Sequence, residues 1–223
     1  ESGAGKSLTG LAILGLLPDT ASITQGKIIW EGSDILIQTK SSRRKIRGKE
    51  IGMVFQEPSS SMNPTFSVGS QLSEVLRVHR GKSRRESKKT ALALMQRVKI
   101  HDHVQRFKSY PHELSGGMLQ RKMIAIAIAS RPKLLIADEA TTALDASVQR
   151  QILELIADLQ EEYNMSLLLI THNLGLVAEM ADRVLVMKQG KVIETASVYD
   201  LFKKPEQIYT RELLKACPGL SKN

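Results

Sequence analysis

Two carboxylates closing an apolar run are the first residues in this chain that could do chemistry. The run is LLIADE, residues 134–139, in which Asp138 and Glu139 follow four apolar positions. A buried carboxylate needs a partner, and a magnesium-bound nucleotide at the strand end supplies one. Asp138 suits the metal's water shell, and Glu139 suits a general base acting on an attacking water. ESGAGKS at 1–7 follows the pattern G-x-x-x-x-G-K-[ST] from its second position onward. Gly3, Ala4, Gly5, Lys6, Ser7 and Leu8 thus form a candidate phosphate cradle. Backbone N–H groups and a helix N-terminus face the anion, Lys6 reaches the β- and γ-phosphates, and the Ser7 hydroxyl ligates Mg²⁺. In LSGG at 114–117, Ser115, Gly116 and Gly117 open a helix at Met118, which makes a second anion site. Two such sites are surplus for one triphosphate unless the second completes a neighbour's. Taken singly, each motif also has a plain structural reading: a Gly-rich turn, two acids facing solvent, a helix cap.

The elements that must position these residues follow from periodicity. An apolar helical stretch, 8–17, follows the first motif and ends at Pro18. GKIIW (26–30) and DILIQ (34–38) read as short strands around a turn. A basic stretch, 43–49, leads into the strand-length run IGMVFQ at 51–56, and 57–65 is a loop. The pattern from Val68 to about Ile100 is helical, interrupted by the charged segment 81–89. LLIAD (134–138) and LLLIT (167–171) read as buried strands. Helices are expected at 147–163 and 174–180, a hairpin at Gly190, and a helical tail over 198–216 broken at Pro205. Strands alternating with helices predict an α/β domain with a parallel core. The strand-free span 70–130 predicts an inserted helical subdomain.

Composition bounds the alternatives. With 223 residues the chain can hold one large domain or two small ones. One cysteine, Cys217, excludes an intramolecular disulfide framework and a Cys-based metal cluster held by this chain alone. A net charge of +9 invites an anionic partner. The basic runs have no interleaved aromatics, which argues against a single-strand nucleic-acid platform, and nucleic acid is not expected. His79, His101, His103 and His112 have no believable ligand set, and GKSRRESKK at 81–89 reads as a solvated helix face. No segment reaches the roughly 18–20 apolar residues of a spanning helix, so the chain is expected to be soluble and cytoplasmic.

ESGAGKS, FQEP with Gln56, LSGGMLQR, LLIADEATTALD and ITHN, in this order, resemble the nucleotide-binding domain of ABC ATPases. The likeness covers essentially the whole chain. It implies a P-loop NTPase fold of the ABC type, a mixed-sheet core (about 1–69 and 131–197), a helical subdomain (about 70–130) and a helical tail (198–223). It also implies ATP and Mg²⁺ as cofactors. By resemblance, Gln56 contacts Mg²⁺ and the attacking water, joining Ser7 and Asp138 as metal residues. Ser115, Gly116 and Gly117 close on a γ-phosphate bound to the opposite subunit. Asp145 lies across a dimer interface, and His172 contacts the γ-phosphate beside the base Glu139.

FQEPSSSMNPTFSVGSQLSE, HELSGGMLQRKMIAIAIA and PEQIYTRELLKACP are similar to oligopeptide, dipeptide and nickel importer ATPases. Gln207 and Ile208 stand where that group's tail has His and Pro, Ala140 where proline is usual, and Asn173 where Asp is common. The resemblance implies a second ATPase subunit, identical or not, two transmembrane permease subunits and an extracytoplasmic binding protein. It places the chain on the cytoplasmic face of the inner or plasma membrane. A nickel importer, a soluble ABC protein of DNA repair or translation, and an inactive remnant are the alternatives. The sequence opens inside its phosphate loop, so an N-terminal truncation and weak ATP binding by this stretch are expected.

Overall fold

The computed structural model describes residues 3–58, 60–141 and 144–216. Glu1 and Ser2 of the first motif, Thr142 and Ala143 of TTALD, and Cys217 lie outside them. The chain folds as two compact units, Thr24–Leu168 and a second made of Glu1–Ile23 with Leu169–Asn223.

The larger unit starts with a small hairpin, β1 (Ile29–Trp30) and β2 (Ser33–Asp34). Both turn residues, Glu31 and Gly32, have positive φ, the geometry a two-residue hairpin loop takes. The predicted strands over 26–30 and 34–38 shrink to these four residues. Asp34 ends the pairing, because its carboxylate accepts from the N–H groups of Ile28 and Leu36. The basic stretch contains a helix that apolar periodicity does not reveal, α2 (Lys40–Ile46), capped by the Thr39 hydroxyl. β3 (Ile51–Val54) then pairs in parallel with β4 (Leu134–Asp138), Ile51 opposite Leu134 and Val54 opposite Ala137. β5 (Ser166–Ile170) follows β4 in the order β3-β4-β5.

Between β3 and β4 the chain is helical: α3 (Val68–Arg80), α4 (Arg84–Arg97), α5 (His103–Arg106) and α6 (Gly116–Ile128). The predicted break at 81–89 narrows to three residues. Gly81 ends α3 in the left-handed region, and Ser83 with Glu86 forms a reciprocal capping box that starts α4. Leu72 and Leu76 of α3 and Ala91 and Met95 of α4 are fully buried. α6 is buried on nearly every side, charged positions included: Arg121 and Lys122 are core residues. It lies tight on β3, where a Cβ on Gly52 would sit 2.3 Å from the Ala127 carbonyl oxygen. α7 (Ala146–Tyr163) buries Ile152, Leu155, Ile156 and Leu159, the apolar stripe of its sequence.

The smaller unit holds α1 (Lys6–Leu14), α8 (Leu174–Met180), an antiparallel hairpin β6 (Arg183–Lys188) and β7 (Lys191–Ser197), and α9 (Val198–Lys203) and α10 (Ile208–Lys215). α1 starts two residues earlier than apolar periodicity predicts, because Lys6 and Ser7 already take helical geometry. Glu194 of β7 fastens the tail. Its carboxylate accepts from the N–H groups of Glu206 (2.8 Å) and Gln207 (3.1 Å) and from the Thr210 hydroxyl. These bonds pin the residues that lead into α10, whose N-cap Gln207 makes no side-chain cap of its own. The Lys188 ammonium lies over the Tyr209 ring, 4.2 Å from its centre.

Candidate functional site

Strand register builds the centre of the site. Each β3–β4 pair joins residues 83 positions apart, and Gln56 and Glu139 lie two residues beyond the last pair. The Gln56 side-chain amide donates to the Glu139 carboxylate, Nε2 to Oε2 3.2 Å, at that same separation. Gln56 is exposed and Glu139 half-buried, while Asp138 is 5% exposed. The chain turns sharply after β4: Glu139 sits at φ 45°, in the left-handed region. Such a conformation at a non-glycine residue costs of order 1 kcal/mol and persists where surrounding structure over-determines it. Asp138 and Glu139 are therefore separated by the strand's end: Asp138 lies inside, and Glu139 is turned toward Gln56.

The second cluster in this unit joins the start of α6 to the start of α7. Ser115 is the N-cap of α6, and its hydroxyl accepts from the Met118 N–H at 3.4 Å. Gly116 and Gly117 form the first turn. A Cβ on Gly117 would stand 3.1 Å from Val148 of α7, and one on Gly116 3.8 Å from Leu144. Asp145 caps α7, accepting from the N–H groups of Ser147 and Val148 and from the Ser147 hydroxyl. These bonds, led by the one from Val148, hold its carboxyl below the ordinary carboxylate range. Arg121 ties the helices together, donating to the Val98 carbonyl at the end of α4 and to Gln151 of α7. Periodicity offers no signal for that role, because arginine in a helix reads as surface.

The smaller unit carries the phosphate-loop residues. Gly5 is the N-cap of α1 with φ 90° and contributes no side-chain cap, so the first-turn N–H groups receive no acceptor from the capping residue. Gly3 also has positive φ. Ala4 is buried and its carbonyl accepts from Gly190 N–H at 3.2 Å, which seats the loop on the β6–β7 turn. That turn, Gln189–Gly190, has positive φ at both positions. Lys6 and Ser7 are half-buried and Leu8 exposed. In the same unit His172 is exposed between β5 and α8. Asn173 behind it caps α8, accepting from Gly175 and Leu176, so asparagine does here what an aspartate cap would do.

Thus Gln56 meets Glu139, and Ser115–Gly117 meets the segment of Asp145. Lys6, Ser7 and His172 belong to the other unit. Among the described residues no three His, Cys, Asp or Glu side chains converge as a closed metal cage.

Comparison with known proteins places the chain in a family. The ABC transporter family pattern matches residues 1–142. The oligopeptide transport ATP-binding protein AppD of Bacillus subtilis is 50% identical over 219 residues, 98% of this chain and 67% of its own length. The dipeptide transport ATP-binding protein DppD of Escherichia coli is 46% identical over 223 residues, 100% of this chain and 68% of its own. The peptidoglycan transport ATP-binding protein YejF of Agrobacterium fabrum is 50% identical, and the chain spans only 40% of its length. Among solved structures, the dimeric ATP-binding cassette MJ0796 in a post-hydrolysis state with ADP and Pi superposes with a TM-score of 0.76. It is 26% identical, over 89% of this chain and 82% of that one. The α/β P-loop fold expected from the motifs is the fold these neighbours share, and the chain belongs to the ABC transporter ATP-binding family.

Proposed function

We propose that this chain is the ATP-hydrolysing part of a peptide importer. The observation that carries the reading is the Gln56–Glu139 pair at the end of the parallel strands. It leaves a carboxylate oriented by a neutral amide, which is what a general base for water attack requires. The relatives named for oligopeptide and dipeptide transport support peptide over nickel as the cargo class. The solved relative that is dimeric with ADP and Pi supports a paired arrangement around the nucleotide.

The residues fit a magnesium nucleotide. The loop N–H groups at Gly3–Leu8 and the Lys6 ammonium suit phosphate charge, and the glycine that caps α1 brings no side chain into the cradle. Ser7, Asp138 and Gln56 would hold Mg²⁺, which binds through few protein oxygens together with phosphates and water. When bound, the metal neutralises charge on the phosphate oxygens. Glu139 takes the proton of the attacking water as its oxygen bonds to the γ-phosphorus and the bond to ADP breaks. His172 contacts the γ-phosphate. Ser115, Gly116 and Gly117 with Asp145 serve the nucleotide of a second ATPase subunit. Two permease subunits receive the motion, and an extracytoplasmic binding protein supplies cargo. No helix among the described residues is long and apolar enough to cross a membrane; the permease subunits would hold the chain at the cytoplasmic face.

The test is Glu139→Gln in the protein carrying its complete phosphate loop. Turnover falls at least about a hundredfold, while ATP-dependent dimerisation, followed by light scattering, survives. Undiminished hydrolysis refutes the base assignment.

A further inference from the structure

We infer that the basic face built by α2, the loop behind it and the last turn of α3 docks on an anionic lipid surface. The segment 39–49 holds no Asp or Glu, and the last turn of α2 is Arg43, Arg44 and Lys45. The last turn of α3 adds Arg77, His79 and Arg80. The two elements form one surface: a Cβ on Gly48 would lie 2.9 Å from the His79 ring nitrogen. The imidazole of His79 is held below its ordinary range, first by burial and then by the positive charges of Arg44 and Lys49. Those two cations therefore stand beside α3. Arg44, Lys45, Lys49, Arg77 and Arg80 are exposed. None of them has a carboxylate within ion-pair distance among the described residues. Glu50, which follows the segment 39–49, accepts instead from the Trp30 indole at 2.8 Å, and Glu74, one turn before Arg77 on α3, forms no ion pair with these cations among the described residues.

Helix surfaces ordinarily interleave charges of both signs. A single-sign face repels itself until an external anion covers it. The neighbouring side chains indicate which anion. No Phe, Tyr or Trp lies in 39–49 or 77–89 and the one imidazole there, His79, is half-buried, so there is no open platform on which nucleic-acid bases would stack. Instead, Val78 is 65% exposed within the cationic turn, and Ile37 is 83% exposed just before α2. Cations flanked by exposed aliphatic groups match the boundary between lipid headgroups and acyl chains.

Flotation of the chain with vesicles tests this without nucleotide, so its outcome is separate from the hydrolytic reading. The probes are phosphatidylcholine alone and phosphatidylcholine mixed with phosphatidylglycerol. The expected result is co-flotation with the mixed vesicles only, weakened by added salt. Each cation at such a surface strengthens partition about fivefold. Arg44→Gln, Lys45→Gln and Arg80→Gln combined should therefore lose about a hundredfold. A control with the same net charge, Lys191→Gln, Lys204→Gln and Lys215→Gln, alters exposed lysines of the other unit and should float like the parent. Circular dichroism verifies folding, and Lys45→Gln alone, expected to lose about fivefold, replaces the triple variant if that misfolds. Equal binding to neutral vesicles overturns the inference. So does an equal loss in the control, or displacement from vesicles by duplex DNA at matched charge.

Discussion

Lys122 is a buried cation with no partner among the described residues, and replacing it should make the protein more stable. Its side chain is 0% exposed in the middle of α6, and its ammonium nitrogen has no hydrogen-bond partner among the described residues. Burial pushes its pKa down from 10.5 to about 8. At pH 7 the lysine is still largely protonated in both the folded and unfolded states, so the folded state carries the full cost. At roughly 1.4 kcal/mol per pKa unit, that cost is about 3 kcal/mol. The sign follows from proton counting. Between about 8 and 10.5 the unfolded chain binds more protons than the folded one, so stability rises with pH across that window. Below it the penalty is constant, and above it the penalty is gone. Lys122→Met keeps an unbranched chain of similar length and removes the charge. The variant should gain about 3 kcal/mol at pH 7 and raise the urea midpoint by about 1 M or more. Trp30, the single tryptophan, lies in the same unit and reports its unfolding by fluorescence. Subtracting the two curves isolates Lys122 from every other titrating group. A difference that stays flat from pH 7 to 11, or a variant less stable than its parent, refutes the account.

Gly117→Val should crowd Val148 and cost on the order of 1–3 kcal/mol. Adding Val148→Ala should recover part of that loss in thermal melts, because the two sites touch and are not additive. Asp145→Ala should lower the melting temperature and weaken the acid sensitivity of α7, since this cap is present above the carboxyl's unfolded pKa and lost below its depressed folded one; hydrogen exchange at Ser147 and Val148 reads it directly. For Glu194, burial raises the pKa but the bonds from Thr210, Glu206 and Gln207 prevail and hold it below 4.5. The tail contact should therefore survive at neutral pH and fail as acid reaches that depressed value. Glu194→Gln should flatten this acid limb at a cost of about 1–2 kcal/mol.

The site's residue types were legible because chemistry at a nucleotide demands short, dense patterns. LLIADE, ITHN and LSGG each announce themselves within six residues. β4, β5, α7 and α8 were legible for a related reason: their burial is periodic or continuous along the chain. What escaped was long-range or against type. α2 is polar at every position but its last, Ile46, and is marked only by its Thr39 cap. Lys122 occupies a core position that its charge argues against. The direct Gln56–Glu139 bond depends on two strands pairing at a separation of 83 residues, which no local window contains. The Glu194 fastening joins a strand to a helix start through backbone donors, and those have no residue signature at all.

That last contact bears on how the tail can change over generations. Two of the three groups gripping Glu194 are main-chain N–H groups at 206 and 207, present in every residue except proline. The identity of those side chains is therefore unconstrained by the grip. Gln207 and Ile208 stand where the importer resemblance leads one to expect His and Pro, and α10 keeps its anchor. Drift along this stretch is buffered by the peptide backbone. The chemical demand falls on two side chains, the carboxylate of Glu194 and the hydroxyl of Thr210.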